Sequence, residues 1–596
     1  MKNIKQAIGL ILCMMLILSA FAGCGSTQSA TGATSSTSEG TASVQEAPVE
    51  ETQVDAADAP ASVDNSEPAE APEDASEEAS VREPESEPVD LTVELPLTTD
   101  DVHYSYFVSF PPPVTEFYET PFKDYECWVE MEKRTGITID FLPYSVVVET
   151  EQFNLLLASG DYPDMFGSGL LTNSMDFYYD EGVVQDIKDM VMENMPNYLH
   201  VMDEYPDFAD SVGIESDEGR WLLLHSYTKN TAYNGGLVIR QDWLDQLGAE
   251  APETIDEYHD ILTRFKNELG ATSPMFLNGE GMLVNDAFAS AFGVKSFYNN
   301  RGVVEYPIYQ VDGQIKYGPA EDAYRDYLQT MADWYQEGLI FNDFYSYTDS
   351  NTNAPNDLIL NDQMGVFTTQ LMNMNQYNDQ MSIELVGAIT PVLNKGEQIH
   401  FDWREAGATT TGICISTAVE VEDVPLLLKM WDYTMSEEGQ LFANWGVEGV
   451  TFEYDENGEP YYTEVVTDSP LPAFSIALNV NTLGGSAVSV IDKAREFCNY
   501  EDNQMDAMEI WNCNVDGAYD LPDLMTLNAD ESETFATGFS DIITYVSTFN
   551  LAVITGQQPL DDASWASYQA DLESMGLANC LAQYQSAYDR YIEKTS

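Results

Sequence analysis

The segment that most restricts the fold of this chain is residues 235–266, GGLVIRQDWLDQLGAEAPETIDEYHDILTRFK. Leu237, Val238 and Ile239 form a short apolar run of the kind that makes a buried strand. Asp242 is placed to cap a brief helix in which Trp243, Leu244 and Leu247 share a face, and Gly248 stops it. Thr254 with Glu257 three residues later is a capping box. It opens a second helix whose apolar positions, Ile255, Tyr258, Ile261, Leu262, Phe265 and Leu269, recur at three and four until Gly270. Strand, helix, helix in this order predicts an α/β domain.

The same order recurs upstream. The pattern predicts a first strand at Leu91 to Leu95, a helix from Cys127 to Arg134 and a strand from Ile137 to Leu142. A helix at Phe153 to Ala158 then leads through the turn Ser159 to Asp164 into a strand at Met165. That is a βαβ arrangement, which implies a parallel sheet. Ligands of open sheets sit outside the carboxyl ends of strands, so Gly167 and Ser168, just past Met165 and Phe166, are candidate cleft residues. Met364 to Phe367 reads as another strand, and Thr369 and Gln370 in the loop expected after it are candidates for the same reason. Trp221 to Leu224 reads as a strand too. Residues 323–337 form an amphipathic helix whose aromatics keep helical spacing and so belong to the core. Gly313 and Asn457-Gly458 mark hairpin turns.

Composition narrows the partners. With 102 acidic and 23 basic residues the formal charge is −79, which excludes nucleic acid as a ligand and disfavours anionic lipid surfaces. About twenty of the acids lie between Glu39 and Asp101, in a Ser, Thr, Ala, Glu and Pro-rich stretch too poor in apolar residues to fold. Residues 25–90 are therefore expected to be a disordered, extended tether. Residues 1–24 carry Lys2 and Lys5, an apolar run from Ala7 to Leu18 and then Phe21-Ala22-Gly23-Cys24. This is an export signal. Its end resembles the lipobox of bacterial lipoproteins, which would make Cys24 a diacylated N-terminus; Phe at the first box position departs mildly from the commoner Leu. Two acyl chains suffice for stable anchoring.

The five cysteines beyond Cys24 show no CxxC spacing, so free thiols are expected, with a Cys498 to Cys513 bridge left open. No nucleophile elbow, phosphate loop, dinucleotide fingerprint or zinc-protease motif is present, and the five histidines are scattered. No cofactor or metal is expected. A glycosidase needs only two carboxylates, so hydrolysis is not excluded by the absence of a motif.

IRQDWLDQLGAEAPETIDEY resembles a signature of the large solute-binding lipoproteins of ABC importers, the extracellular solute-binding protein family 1 type with the type 2 periplasmic-binding fold. LLLASGDYPDMF, DEGVVQDIKDM, MPNYL, DWYQEGLIFNDF, SEEGQLFANWGVEGV and SAYDRY resemble that family in the same order. The resemblance implies a two-lobed α/β fold with an interlobe cleft and a hinge, with residues 91–232 and 409–527 in lobe one and 233–408 and 528–596 in lobe two. It places Tyr233 and Asn234 at the first crossing between lobes, near hinge and ligand. Some members carry an EF-hand-like loop after the helix matching Thr254 to Lys266, but Asn267 to Pro274 lacks the alternating oxygens calcium needs.

Sugar sites pair aromatic platforms with polar side chains. Trp403 with Arg404 and Glu405 fits that pattern, since this Trp follows no helical repeat, though a structural role fits equally. Trp445 in a Gly-flanked turn is ambiguous. The expectation is a monomeric, non-enzymatic protein, lipid-anchored on the extracellular face, that captures a carbohydrate and passes it to an ABC permease. An exported polysaccharide-active enzyme and a sensor or adhesin on the same fold stay open, as does a peptide ligand.

Overall fold

The computed structural model describes residues 90–595 apart from 111–121, 146–148, 172–173, 217, 234, 277–282, 297, 301–302, 347–355, 375–376, 378–382, 405 and 470–473. The expected export signal, Cys24, the expected tether up to residue 89 and Asn234 lie outside the described residues.

The chain begins its first sheet with β1 (Val102–Phe110), followed by α1 (Glu126–Thr135), β2 (Ile137–Ser145), α2 (Glu149–Ser159) and β3 (Met165–Gly167). β1 pairs in parallel with both β2 and β3, as the βαβ pattern predicts. The first strand is not Leu91 to Leu95. Val102–Phe110 takes the central place because all nine of its residues pair with β2 while its side chains fill both faces. Tyr104 and Tyr106 join one apolar cluster and Phe107 the other. Met165 and Phe166 of β3 divide in the same way, following the period of two along a strand.

β4 (Tyr227–Lys229) leads to β5 (Gly235–Arg240), α3 (Gln241–Leu247) and α4 (Ile255–Arg264). The Thr254 and Glu257 capping box forms, and Gly248 and Gly270 end their segments with positive φ. Asp242 does not cap α3. Its carboxylate accepts from Arg240 Nε at 2.7 Å and Nη2 at 2.5 Å, because a guanidinium only 2% exposed needs a counter-charge more than the helix end needs a cap. α5 (Asp322–Gln336) buries Tyr324, Tyr327, Leu328, Met331 and Trp334. The tight turn at Asp312-Gly313 joins strands Ile308–Val311 and Gln314–Tyr317.

β6 (Val366–Gln370) and β7 (Leu385–Gly387) flank β5, both antiparallel to it. Thr369 and Gln370 therefore continue the strand instead of forming the expected loop, and Thr369 is buried against Gly236 across the ladder. β8 (Ile413–Ile415) returns to the first sheet, antiparallel to β3. Trp221 to Leu224 is not a strand; Leu224 makes one bridge, to Ile413 of β8. Next come α6 (Val424–Met435), α7 (Glu437–Trp445), a hairpin turning at Asn457-Gly458, and β9 (Val490–Asp492).

α8 (Asp502–Asn512) lies on the second sheet, although its sequence position suggested the first lobe. Trp511 Nε1 donates to the Leu237 carbonyl at 2.7 Å, and a Cβ at Gly236 would meet the Trp511 ring at 2.6 Å. Gly387 stands as close to Ala507. Glycines on two strands thus let the helix sit almost on the sheet backbone. The long α9 (Ala529–Ile554), which the sequence pattern did not reveal, packs with α10 (Asp562–Ser574) and α11 (Leu577–Thr595) on the same core. All five described cysteines are free thiols; Cys127, Cys414 and Cys580 are buried, while Cys498 and Cys513 are exposed.

Candidate functional site

Two main cores divide the described residues. One gathers β1, α6 and their neighbours, and the other gathers β5, α4, α5 and the C-terminal helices. The chain passes between them near residues 229–235, 404–409 and 492–502. The crossings lie side by side. β4 pairs in parallel with β9, and Thr228 N donates to the Gly407 carbonyl at 2.9 Å.

Beside the crossings opens a cavity of about 980 Å³. Thr231, Ala406 and Gly407 of the crossings form part of its wall. Trp403, Tyr306, Tyr584 and Tyr588 contribute aromatic surface, and Asp402, Arg404, Lys295, Gln310, Asp520 and Asp523 contribute polar groups. A hydrogen-bonded network organises this wall. Asp402 Oδ1 accepts from the Tyr233 hydroxyl at 2.7 Å and from the Arg404 amide at 2.9 Å; Oδ2 accepts from Arg404 Nε at 2.7 Å and forms an ion pair with Nη2 at 2.5 Å. The Asp402 amide donates to Asp520 Oδ2 at 2.7 Å, and Lys295 Nζ lies 2.7 Å from Asp520 Oδ1, an ion pair short of a well-directed hydrogen bond.

Electrostatics follow from these contacts. Burial alone would raise the Asp402 carboxyl, but the hydrogen bonds from Arg404 and Tyr233 outweigh it and hold the group below the usual range. Burial pushes Asp520 up, with Lys295 only partly offsetting it. Asp523 is raised by partial desolvation of its carboxyl, then by the charges of Asp520 and Asp402, with Lys295 opposing. Burial and the Asp402 carboxylate push the Tyr233 hydroxyl far above its ordinary value.

Trp403 and Arg404 line this cavity, and Tyr233, buried just behind it, holds Asp402 in place. The other sequence candidates stand elsewhere. Ser168 is clamped to the returning chain, its amide donating to the Gly412 carbonyl at 2.9 Å and its hydroxyl accepting from the Gly412 amide at 3.0 Å. Gly167 ends β3 with open space on its Cβ side. Gln370 ends β6 opposite Gly235. Trp445 lies against Tyr462, with ring centroids 4.5 Å apart and the planes tilted by 31°, and lines a second cavity of about 570 Å³ with Lys229, Asn444 and Asp492.

Lys295, Asp520, Asp523, Tyr584 and Tyr588 escaped sequence reading. Tyr584 and Tyr588 sit four apart on a helix, the spacing of ordinary packing residues, so no local signal marked them. Among the described residues no group of three His, Cys, Asp or Glu side chains could hold a metal ion, and no helix is long and apolar enough to cross a membrane.

Two separately packed α/β lobes joined by three adjacent crossings, with a polar and aromatic cavity beside them, define a two-lobed binding-protein fold. Residues 127–416 match the bacterial extracellular solute-binding protein family. It is 22% identical over 491 residues to the fructooligosaccharide ABC transporter substrate-binding protein FusA of Streptococcus pneumoniae, covering 77% of this chain and 86% of that protein. Its fold is similar to the solute-binding protein of Bifidobacterium longum infantis described as HMO-binding and ABC-transporter associated, with a TM-score of 0.65 at 20% identity over 82% of this chain and 99% of that one. It is similar also to the alginate-binding protein AlgQ2, with a TM-score of 0.63 at 20% identity over 83% and 99% of the two chains.

Proposed function

We propose that this protein is the lipid-anchored, extracellular solute-binding component of an ABC importer, and that it captures an oligosaccharide beside the chain crossings and delivers it unchanged to the permease. The observation that carries this is the position of the cavity. Its wall joins second-lobe side chains to Thr231 and Gly407, where the chain changes lobes, so a ligand there can favour one interlobe angle over another. Trp403 and the tyrosines offer apolar faces to sugar rings, and the Asp402 to Arg404 network offers fixed hydrogen-bonding groups. The name of FusA supports a carbohydrate.

Gly167, Ser168, Asn234, Gln370 and Trp445 are proposed to touch outlying parts of a long ligand, while the burial of Thr369 leaves it to the sheet. Lobe boundaries are proposed to follow the three crossings. Cys24 is proposed as the acylated residue, residues 25–90 as the tether, and the protein as a monomer.

The test combines a thermal-shift screen against oligosaccharides and peptides with chromatography of the bound sugar. A sugar present at a hundred times its dissociation constant adds about 2.7 kcal/mol of stability. Binding with the sugar recovered intact is expected. Cleavage of the sugar would instead make the protein an enzyme, and stabilisation by peptides alone would overturn the carbohydrate assignment.

A further inference from the structure

Resting on the carbohydrate assignment above, we infer that the cavity beside the crossings takes an uncharged saccharide and rejects chains bearing uronate carboxylates. Recognition of a carboxylate calls for a cation free to pair with it, best a guanidinium meeting both oxygens. Both cations on this wall are already engaged. Arg404 holds Asp402 through Nε and Nη2, and Lys295 holds Asp520 at 2.7 Å. Turning Arg404 toward a ligand would strip a mostly buried Asp402 of its counter-charge, which costs more than a new, more exposed pair returns.

The charge left over has the wrong sign for an acid sugar. Asp402 and Asp520 cancel Arg404 and Lys295, which leaves Asp523, whose side chain makes no hydrogen bond or ion pair among the described residues. At physiological salt, charges beyond about 8 Å are screened, so this local carboxylate weighs more than the overall charge of −79. Sugar hydroxyls suit such a wall. They donate to Asp523 and accept from the N–H groups of Arg404 that Asp402 leaves unused, while Trp403 covers a ring face.

Calorimetric titration of the purified protein with length-matched panels of fructo-, malto- and galacto-oligosaccharides on one side and oligogalacturonates on the other tests this. At least one uncharged series is expected to bind more tightly than any oligogalacturonate by about tenfold or more. Oligogalacturonate binding as tight as that of the best uncharged sugar overturns the inference and leaves solute binding standing; no binding to either panel overturns both. In Asp523→Asn the oligogalacturonate affinity is expected to rise several-fold, and an unchanged value overturns the part given to Asp523.

Discussion

The hydroxyl of Tyr233 donates to Asp402 Oδ1 at 2.7 Å and so ties the first chain crossing to the segment that enters the second. Tyr233 is 3% exposed, so the bond is shielded from water and made to a charged acceptor. Tyr233→Phe removes the donor and keeps the ring. It is expected to cost about 1.5–3 kcal/mol, read as a lower urea midpoint with an unchanged slope. An unchanged midpoint would mean that the bond does not hold the crossings together.

The cavity carboxylates give opposing pH dependences. Asp402, held low by Arg404 and Tyr233 against its burial, stabilises the fold at neutral pH and loses that contribution as pH falls through its folded value. Asp523 is raised, so it favours the fold in acid, and that benefit is lost as pH rises through its folded value. Asp523→Asn removes the second effect. Its melting temperature should exceed that of the wild type at pH 7, with the gain shrinking towards pH 4; a gain independent of pH would show that titration of Asp523 is not its source.

Gly236 faces the Trp511 ring with no room for a methyl group, since a Cβ would stand 2.6 Å from it. Gly236→Ala must push α8 off the second sheet, at a cost of about 1–3 kcal/mol by chemical denaturation. If Trp511→Leu is introduced as well, the two changes should be strongly non-additive, because the clash disappears with the ring.

Trp403 lines the cavity without sitting in a helix or strand. Trp403→Ala is expected to weaken binding of the sugar found in the screen by about tenfold or more, equivalent to about 1.4 kcal/mol. Full affinity in a folded variant would return Trp403 to a purely structural role.

Cys24→Ser removes the sulfur that acylation requires. Palmitate labelling should vanish and the protein should move from the membrane fraction to the medium, as expected when the two-chain anchor is lost. Retention in the membrane fraction would rule out Cys24 as the anchor.

Much of the local structure was legible in the residues themselves. The Thr254 and Glu257 box and the stops at Gly248 and Gly270 formed where the pattern put them, and the helix expected at residues 323–337 formed at Asp322–Gln336, because caps and periodicity act within one or two turns. Local rules failed where a distant partner intervened. Asp242 left its helix end for a buried guanidinium, and Leu91 to Leu95 gave way to a strand that could fill both faces of the sheet. Trp403 and Arg404 could be picked out as an aromatic and a charge in a polar loop. Their neighbours Lys295, Asp520 and Asp523 could not, since nothing in their own segments sets them apart.

The sequence alone determined the α/β character and the strongly acidic balance, for these depend on composition and short-range order. Only the tertiary structure decided which lobe receives α8, which crossings touch, and that Asp402 is shared by Tyr233, Arg404 and the Asp520 segment. Those contacts join residues separated by as many as 274 positions, as between Trp511 and Leu237, and are fixed by packing against surfaces that exist only once the chain is folded.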